Sequence, residues 1–135
     1  MTITETETEA PTAADELSTL GEQLLRTAKN SRDRAAVQAL IEEQTILSVP
    51  GVRHALIIDT AKGQVARLEG LSGRQYILGL DEGQLDFLGL ILSMVGIGIT
   101  TLASMQDMDD RRLPIILRAI LRLTGNDTIA VGTRL

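Results

Sequence analysis

Few residues of this chain carry side chains that could do chemistry. His54 is the single histidine and cysteine is absent, so thiol nucleophiles and cysteine-ligated zinc are excluded. The sequence contains no HExxH or GxSxG motif and no phosphate-binding loop ending in Gly-Lys-Ser/Thr. Because His54 lies in an apolar run without a carboxylate at helical spacing, we expect a packed or edge residue and not a catalyst. The sequence therefore predicts neither an enzyme nor a bound cofactor.

Three acidic residues, Asp107, Asp109 and Asp110, are close enough in sequence to gather a divalent cation through carboxylate oxygens. The alternating acids and the glycine of a calcium loop are missing around them. We therefore expect these aspartates to cap a helix and to hold a polar joint away from the core. No metal site is predicted.

Paired glycines in the segment Gly96-Ile97-Gly98-Ile99-Thr100 could suggest a dinucleotide-binding loop. Such a loop must follow a strand, open a helix and contain a third glycine. Here the two glycines lie deep in an apolar run and the third glycine is missing. Close packing of the backbone is the expected role of these glycines.

Arg111, Arg118 and Arg122 fall on one side of a helix if the apolar segment 113–123 is helical. An arginine side of this kind can lie against an anionic lipid surface. Three arginines are a weak signal for lipid binding, so solvated salt bridges are the expected role.

Small residues recur through the longest uncharged run of the chain, residues 87–105. At spacings of four, three and four they form one stripe on a helix, made of Gly89, Ser93, Gly96 and Thr100. We expect one helix from about residue 82 to about residue 106, and a helix that is apolar all round must be buried all round. A small stripe lets another backbone approach closely. We therefore predict self-association into a homo-oligomer through this stripe.

Residues 87–105 are also long enough to cross a bilayer. Glycine in a helix interior costs about 1 kcal/mol relative to alanine. Neither end of the run carries the Trp or Tyr that often mark a membrane interface. Burial against protein is therefore favoured. The alternative is a membrane-associated protein with residues 87–105 inserted in the bilayer and residues 113–123 at its surface.

The composition fits an aliphatic core. Of the 135 residues 44% are hydrophobic, and Phe87 and Tyr76 are the only aromatic residues. The shortage of aromatic side chains argues against base stacking, and the net charge of −5 argues against a basic footprint. Nucleic acid is therefore not an expected partner. The acidic N-terminus lacks the basic start and apolar stretch of a secretory signal, which favours a cytoplasmic protein.

The first third of the chain predicts a tail followed by two helices. Residues 1–14 are too polar to offset their ordering entropy, so we expect a disordered acidic tail and a single α+β domain over residues 15–135. Asp15 is the expected cap of a first helix and Ser31 the expected cap of a second. The charged residues of the second helix are expected to stay in water, namely Arg32, Arg34, Glu42 and Glu43.

Two short β-type runs, residues 53–59 and residues 64–69, flank a turn that contains glycine at residues 60–63. This is the pattern of a β-hairpin. Residues 75–80 fit either a third strand or an extended approach to the central helix. The sheet is therefore expected to be small and antiparallel.

Residues 113–123 fit a helix better than a strand, with Pro114 in its first turn and Gly125 at its end. Residues 128–135 are expected to form a closing strand. The predicted fold is α+β, in which a small antiparallel sheet packs against a long apolar central helix, with an N-terminal helical hairpin.

The segment LSVPGVRHALIIDTAKGQVARLEG, residues 47–70, resembles the opening of roadblock/dynein-light-chain domains. In that family a helix leads through a Pro-Gly-Val turn into a strand ending in Asp, then a glycine turn, a second strand and a long helix. Val49-Pro50-Gly51-Val52, Asp59 and Gly63 stand in the corresponding places, and residues 82–106 correspond to the long helix. The resemblance implies a small homodimeric adaptor, or a regulator of small GTPases, without catalysis of its own.

Overall fold

The computed structural model describes residues 12–134, so positions 1–11 of the predicted acidic tail lie outside it. In this part of the chain the five α-helices are Ala13–Thr27 (α1), Ser31–Glu43 (α2), Pro50–Leu56 (α3), Glu82–Met94 (α4) and Arg112–Thr124 (α5). The same residues contain two strands, Ile57–Thr60 (β1) and Gly63–Ala66 (β2), and 3₁₀ turns at Leu68–Leu71, Gln75–Ile77 and Leu102–Met105. The mixture of helices with a small antiparallel sheet confirms the predicted α+β class.

α1 and α2 form the expected pair of N-terminal helices, and local caps explain where each begins. Thr12 Oγ1 accepts a hydrogen bond from the N–H of Asp15, whose carboxylate accepts one from the N–H of Thr12. Asn30 Oδ1 accepts from the N–H of Asp33 at the start of α2. The capping residues are therefore Thr12, three positions before the predicted Asp15, and Asn30, one position before the predicted Ser31.

A short helix replaces the first half of the strand predicted at residues 53–59. Pro50 occupies the start of α3, where a missing N–H has no intrahelical partner to lose and the fixed φ suits the helix. The buried side chains of α3 recur at helical spacing and are Val52, Ala55 and Leu56. The strand prediction is therefore wrong before Ile57, because so short an apolar run fits either period.

β1 and β2 form the predicted hairpin. The antiparallel register pairs Ile57 with Ala66 and Thr60 with Gly63. Gly63 has a φ of 112°, which glycine adopts at little cost because it has no Cβ. Thr27 Oγ1 at the end of α1 donates to the carbonyl of Ala66 at 2.6 Å. This hydrogen bond ties the hairpin to the helical pair.

The closing strand predicted at residues 128–135 is wrong in its described part, and the strand alternative for residues 75–80 is not the one that the structure contains. Residues 75–80 contain the 3₁₀ turn Gln75–Ile77, and residues 128–134 form no strand. A short β-type run becomes a strand only where another strand offers backbone partners, and such a partner is a matter of tertiary structure.

α4 begins as predicted. Asp81 Oδ1 accepts from the N–H of Gln84 at 2.8 Å, and Gln84 Oε1 accepts from the N–H of Asp81 at 3.0 Å. This reciprocal cap fixes the start of the helix. The apolar side chains of its first three turns then point into the core, and those with no exposed area are Phe87, Leu88, Ile91 and Leu92.

α4 ends at Met94, so the uninterrupted helix expected over residues 82–106 is wrong. Gly96 follows with a φ of 74°. Two hydrogen bonds close the end in a Schellman motif, from the Gly96 N–H to the Ser93 carbonyl and from the Ile97 N–H to the Leu92 carbonyl. Glycine is favoured at this position because other residues pay a steric cost there. The expected long central helix is a helix of 13 residues followed by an irregular segment.

The stretch considered for membrane insertion, residues 87–105, is divided between α4, the segment 95–101 and the 3₁₀ turn Leu102–Met105. Within residues 12–134, none of the helices has both the length and the apolar character needed to cross a bilayer. Residues 87–105 therefore do not form the one continuous helix that was considered for insertion in a bilayer.

α5 is the helix predicted at residues 113–123, with Pro114 in its first turn and Gly125 in the left-handed conformation at its end. It packs against α2 and α4 and completes the core. Most of the large side chains with almost no exposed area are aliphatic, as predicted, and besides Phe87 they include Leu24, Leu40, Ile46, Leu47, Leu56, Leu71, Leu88, Ile91, Leu92 and Ile116.

Candidate functional site

The four residues of the predicted small stripe do not lie on one helix. Gly89 and Ser93 belong to α4, whereas Gly96 is the residue that ends the helix and Thr100 lies in the segment beyond it. The stripe is therefore wrong as a helical face, because the chain reverses direction at Gly96. Its role in self-association stays a prediction.

The chain after Gly96 folds back over α4, and Gly89 permits this close approach. A Cβ at Gly89 would lie 3.0 Å from Thr100 Oγ1 and 3.9 Å from Gln75 Oε1. A Cβ at Gly98 would lie 3.2 Å from Gln75 Nε2. Both glycines therefore make room for neighbouring side chains of the same chain. We call residues 95–101 the folded-back loop.

Ser93 also makes its contact inside the chain. Its hydroxyl donates to the carbonyl of Gly89 at 2.9 Å, one helical turn earlier. By contrast, Gly96 is exposed, and a Cβ there would meet no atom within 4 Å. The close packing predicted for the small residues is thus found at Gly89 and Gly98 and is absent at Gly96.

Large apolar side chains project into solvent next to these contacts. Tyr76 and Ile77 follow Gln75, Ile99 lies between Gly98 and Thr100, and Leu102 comes two positions later. Their exposed fractions are 88% for Tyr76, 79% for Ile77, 101% for Ile99 and 76% for Leu102. We call these four residues the exposed patch. Large exposed apolar surface marks interaction sites in monomeric folds.

A groove adjoins the exposed patch between α4, the turn Leu102–Met105 and α5. It has a volume of about 240 Å³ and is lined by Leu90, Ser93, Met94, Thr100, Leu102, Met105, Ile116 and Ile120. Most of these side chains are apolar. Ser93 and Thr100 of the predicted stripe therefore line one groove, while Gly89 lies beneath Thr100 and Gly96 stands apart.

A buried carboxylate lies at the start of α5. Glu43, the last residue of α2, has no exposed area. One carboxylate oxygen accepts from the N–H of Ile46 at 2.7 Å, and the other accepts from Thr45 Oγ1 at 2.5 Å. That second oxygen also lies 2.8 Å from Arg111 Nη2 and 2.9 Å from Arg112 Nε. The expectation that Glu43 stays in water is therefore wrong.

Further hydrogen bonds extend this cluster to two helix starts. Gln84 Nε2, in the first turn of α4, donates to Thr45 Oγ1 at 3.2 Å. Asp109 accepts from the backbone N–H groups of Arg111 and Arg112 at 3.1 and 2.7 Å, and its carboxylate lies 2.8 Å from Arg112 Nη1. Asp109 thus caps α5, as predicted for the aspartates. We call Glu43, Thr45, Gln84, Asp109, Arg111 and Arg112 the Glu43 network.

The charges of the Glu43 network favour a structural role. Burial raises the pKa of Glu43, but hydrogen bonds from Thr45, the Ile46 N–H and the two arginines outweigh it and bring the pKa below its ordinary value. Burial lowers the pKa of Arg112, and the neighbouring Glu43 more than offsets this, so the net pKa is raised. Both groups are held in their charged forms, so neither is poised to exchange a proton near neutral pH.

The three arginines of the predicted α5 stripe are in ion pairs, as expected. Glu42 lies 2.9 Å from Arg122 Nη2 and 3.7 Å from Arg118 Nη2, and Arg111 is paired with Glu43. These pairs join α5 to the last turn of α2. Glu42 is therefore also engaged in ion pairs, and the prediction that it stays in water is wrong.

The remaining candidates from the sequence do not assemble into a reactive site. His54 lies on the exposed side of α3, and the nearby carboxylate of Glu16 is paired with Arg53. Across residues 12–134, no three His, Asp or Glu side chains are grouped so that they could hold a metal ion. Asp109 is engaged as a helix cap, and Asp107 and Asp110 are exposed beside it.

The comparisons with protein-family models, curated proteins and solved structures give no match for this chain. The roadblock-like resemblance of residues 47–70 stays a prediction. In that segment Pro50 opens α3 instead of a turn, and the strand that follows begins at Ile57.

Proposed function

We propose that this chain is a non-enzymatic protein–protein interaction module, an adaptor or a regulatory protein, that self-associates. The observation that carries the proposal is the exposed patch, four large apolar side chains that are left exposed on either side of the contact between Gln75 and Gly98 in the chain. Burying one such side chain in an interface is worth about 1.5–3 kcal/mol. A second protein surface is the partner that gains most from covering them.

The small residues support this function indirectly. Gly89 and Gly98 let the folded-back loop lie close to α4 and to Gln75. The loop in turn carries Ile99, the most exposed residue of the patch. In this proposal Gly89, Ser93, Gly96 and Thr100 position the binding surface, and the contact with the partner is made by the patch.

The chemistry of the described residues gives further support to a non-catalytic role. Glu43 is the buried acid of this part of the chain, and its oxygens are already engaged by four partners. An acid or base committed to structural donors has no lone pair or proton to offer a substrate.

Beyond self-association the module is proposed to contact a further protein partner. The roadblock-like resemblance of residues 47–70 makes a small GTPase one candidate class. The cytoplasm is the proposed location, as the acidic N-terminal sequence suggests.

The proposal is tested by sedimentation equilibrium of the wild type and two matched variants, Ile99→Ser and Ile129→Ser. Both residues are exposed isoleucines, but Ile129 lies after α5 and outside the patch. The wild type is expected to show concentration-dependent self-association. Ile99→Ser is expected to weaken it at least about tenfold, or about 1.4 kcal/mol, and Ile129→Ser to leave it unchanged.

Two results would contradict the proposal. One is a wild type that stays monomeric up to about 1 mM, a concentration at which even an association of about 4 kcal/mol would be visible. The other is an equal effect of the two isoleucine substitutions.

A further inference from the structure

The β1–β2 hairpin has one open edge, on β1. The Arg67 N–H donates to the Leu56 carbonyl at 2.9 Å, so these two residues form a hydrogen-bonded pair that continues the antiparallel register. Hydrogen-bonded pairs alternate with pairs that exchange no hydrogen bonds, so the backbone groups of Ile57 and Asp59 point away from β2. Among residues 12–134 no further strand pairs with β1. An edge of this kind is a template for an added strand.

The outer edge of β2 is contacted by α1 instead. The Ala66 carbonyl accepts from Thr27 Oγ1, at the end of α1, at 2.6 Å. Ala66 pairs with Ile57, so the alternation requires that this carbonyl point away from β1, as the hydrogen bond to Thr27 shows. The edge left for another strand is therefore that of β1.

α1 brings the preceding part of the chain to this open edge. Leu20, in the middle of the helix, lines one groove with Ile57, the first residue of β1. Glu16, one turn earlier, is paired with Arg53 in the helix that leads into β1. Thr12 lies a further four residues back, about 6 Å along the helix axis. The segment before Thr12 therefore joins the described structure close to the start of β1.

Residues 2–9 have the pattern and the reach of an added strand. Their sequence, TITETETE, places a threonine at every second position. Alternation with period two and β-branched residues are both typical of a strand. β1 has four residues and spans about 13 Å, whereas the eleven residues before Thr12 reach about 36 Å when extended. The segment is long enough to turn back from α1 and lie along all of β1.

We propose that residues 2–9 bind to the open edge of β1 in the same chain as a third strand, antiparallel to β1, with their threonine side chains facing the groove. The direction follows from the joining point, because a segment that enters α1 near Ile57 must come from the Thr60 end of β1. A segment this polar does not order by itself. An existing edge supplies it with backbone partners, and the tether holds it there at an effective concentration of about millimolar order. This strand is separate from the proposed self-association surface, because none of the four patch residues lines the groove.

The pairing also decides which side chains of the segment face the groove. Opposite residues of an antiparallel pair have their side chains on the same face, so the residues that bond to Ile57 and Asp59 share the face of these two. On that face Ile57 lines the groove, of about 440 Å³, with Leu20 and Pro50. Glutamates placed there would meet an apolar wall and the like-charged Asp59. Threonines are therefore placed there, and the threonine N–H groups are the ones that donate to β1.

Amide hydrogen exchange of the full chain, followed by NMR, tests this strand. The Ile57 and Asp59 N–H groups are expected to be protected in the wild type, with the Ile58 N–H, which faces β2, as the internal reference. The double variant Thr4→Pro/Thr6→Pro removes two donors to β1 and is expected to lower the protection of Ile57 and Asp59 at least about tenfold.

The matched control is the double variant Glu5→Pro/Glu7→Pro. It introduces the same number of prolines into the same segment, but it removes N–H groups that point to solvent, which an edge strand tolerates. Protection of Ile57 and Asp59 is expected to stay within about threefold of wild type. Equal protection in the two double variants would overturn the added strand, because only the direction of the lost N–H groups distinguishes them. Fast exchange of both amides in the wild type would overturn the docking itself.

Two further results separate this strand from other occupants and from the proposed function. Protection that falls on dilution would assign the edge to residues 2–9 of a second copy and overturn binding within one chain. The same exchange measured in Ile99→Ser, in which the proposed self-association is weakened, is expected to match the wild type. Loss of protection in Ile99→Ser would overturn the inference, whereas a wild type that is monomeric but protected would overturn the proposed function and leave the strand standing.

Discussion

The Glu43 network and the exposed patch differ in how completely their side chains are satisfied within one chain. In the network, a carboxylate with no exposed area is met by four donors, and two helix starts depend on them. In the patch, Ile99 is fully exposed and touches no covering element. The first region is satisfied within one copy, and the second leaves large apolar side chains uncovered in one copy.

This contrast separates the residues that stabilise the fold from the residues that are proposed to bind a partner. A buried charge without its partner costs several kcal/mol, so the network must act in stability. An exposed apolar side chain contributes little to the folding of a monomer, which is why the patch is proposed to act in association. Substitutions in the two regions should therefore change different measurements.

The largest expected effect is on stability and comes from Glu43→Ala. The substitution leaves Arg112, which is mostly buried, with the exposed Asp109 as its remaining carboxylate partner, and it removes the acceptor of the Ile46 N–H. We expect a loss of about 3 kcal/mol in the free energy of unfolding, measured by urea denaturation. Glu42→Ala is the control because it is the neighbouring residue with more exposed ion pairs, and its loss should be about 1 kcal/mol or less. Equal losses of stability for Glu43→Ala and Glu42→Ala would contradict the distinction between the buried network and the more exposed ion pairs.

A smaller loss of stability is expected at Gly89, where a substitution should affect both folding and self-association. The side chain introduced by Gly89→Val would collide with Thr100 Oγ1 and push the folded-back loop away from α4. We expect a loss of about 2 kcal/mol in stability together with weaker self-association, because the loop carries Ile99. The added change Thr100→Ala should recover part of both losses. If the stability changes of Gly89→Val and Thr100→Ala simply add in the double variant, the two residues are not coupled.

Substitutions at Gly96 distinguish its backbone role from a packing role. Its φ of 74° strains any residue with a Cβ, whereas the space around it is open. Gly96→Ala and Gly96→Leu should therefore lose similar stability, about 1 kcal/mol each. Gly96→Asn should lose less, since asparagine tolerates this conformation. A much larger loss of stability for Gly96→Leu than for Gly96→Ala, measured by thermal or urea unfolding, would indicate that Gly96 is packed against another surface.

The smallest expected effect is a pH dependence of the Glu43 network. The pKa of Glu43 in the folded state lies below the ordinary value of 4.5, so the unfolded chain takes up the proton first as the pH falls. The stabilisation is therefore fully present above about pH 4.5 and is lost as the pH falls through the folded pKa. The stability gap between wild type and Glu43→Gln should narrow over this acidic range. Asp109 is present in both proteins, so its contribution to the pH dependence cancels in the difference. A stability gap that stays constant over this range would contradict the lowered pKa of Glu43.

The parts of the fold that the sequence predicted are those set by local signals. The start of α4 at Asp81, the β1–β2 hairpin with Gly63 and the end of α5 at Gly125 each depend on a cap or a turn of a few residues. The end of α4 was missed although Gly96 supplied a local signal for it, because the apolar pattern continues through the break. Pro50 likewise signalled a helix start and was interpreted as a turn.

The two regions compared above could not be predicted, because each depends on contacts between distant parts of the chain. Glu43 meets Arg111 from 68 positions away, and nothing near Glu43 in the sequence distinguishes it from a solvated acid. Ile99 is one apolar residue in an apolar run. Its exposure follows only from the reversal at Gly96 and from the contact between Gly98 and Gln75.

The central claim, that the exposed patch is the surface of self-association, is tested most directly by isoleucine methyl NMR spectra of the unmodified protein over a dilution series. Ile77 and Ile99 should change chemical shift together as the protein is concentrated, whereas Ile57 and Ile129, which are exposed elsewhere, should not. Shifts confined to Ile57 or Ile129, or spectra that do not depend on concentration up to about 1 mM, would contradict the account.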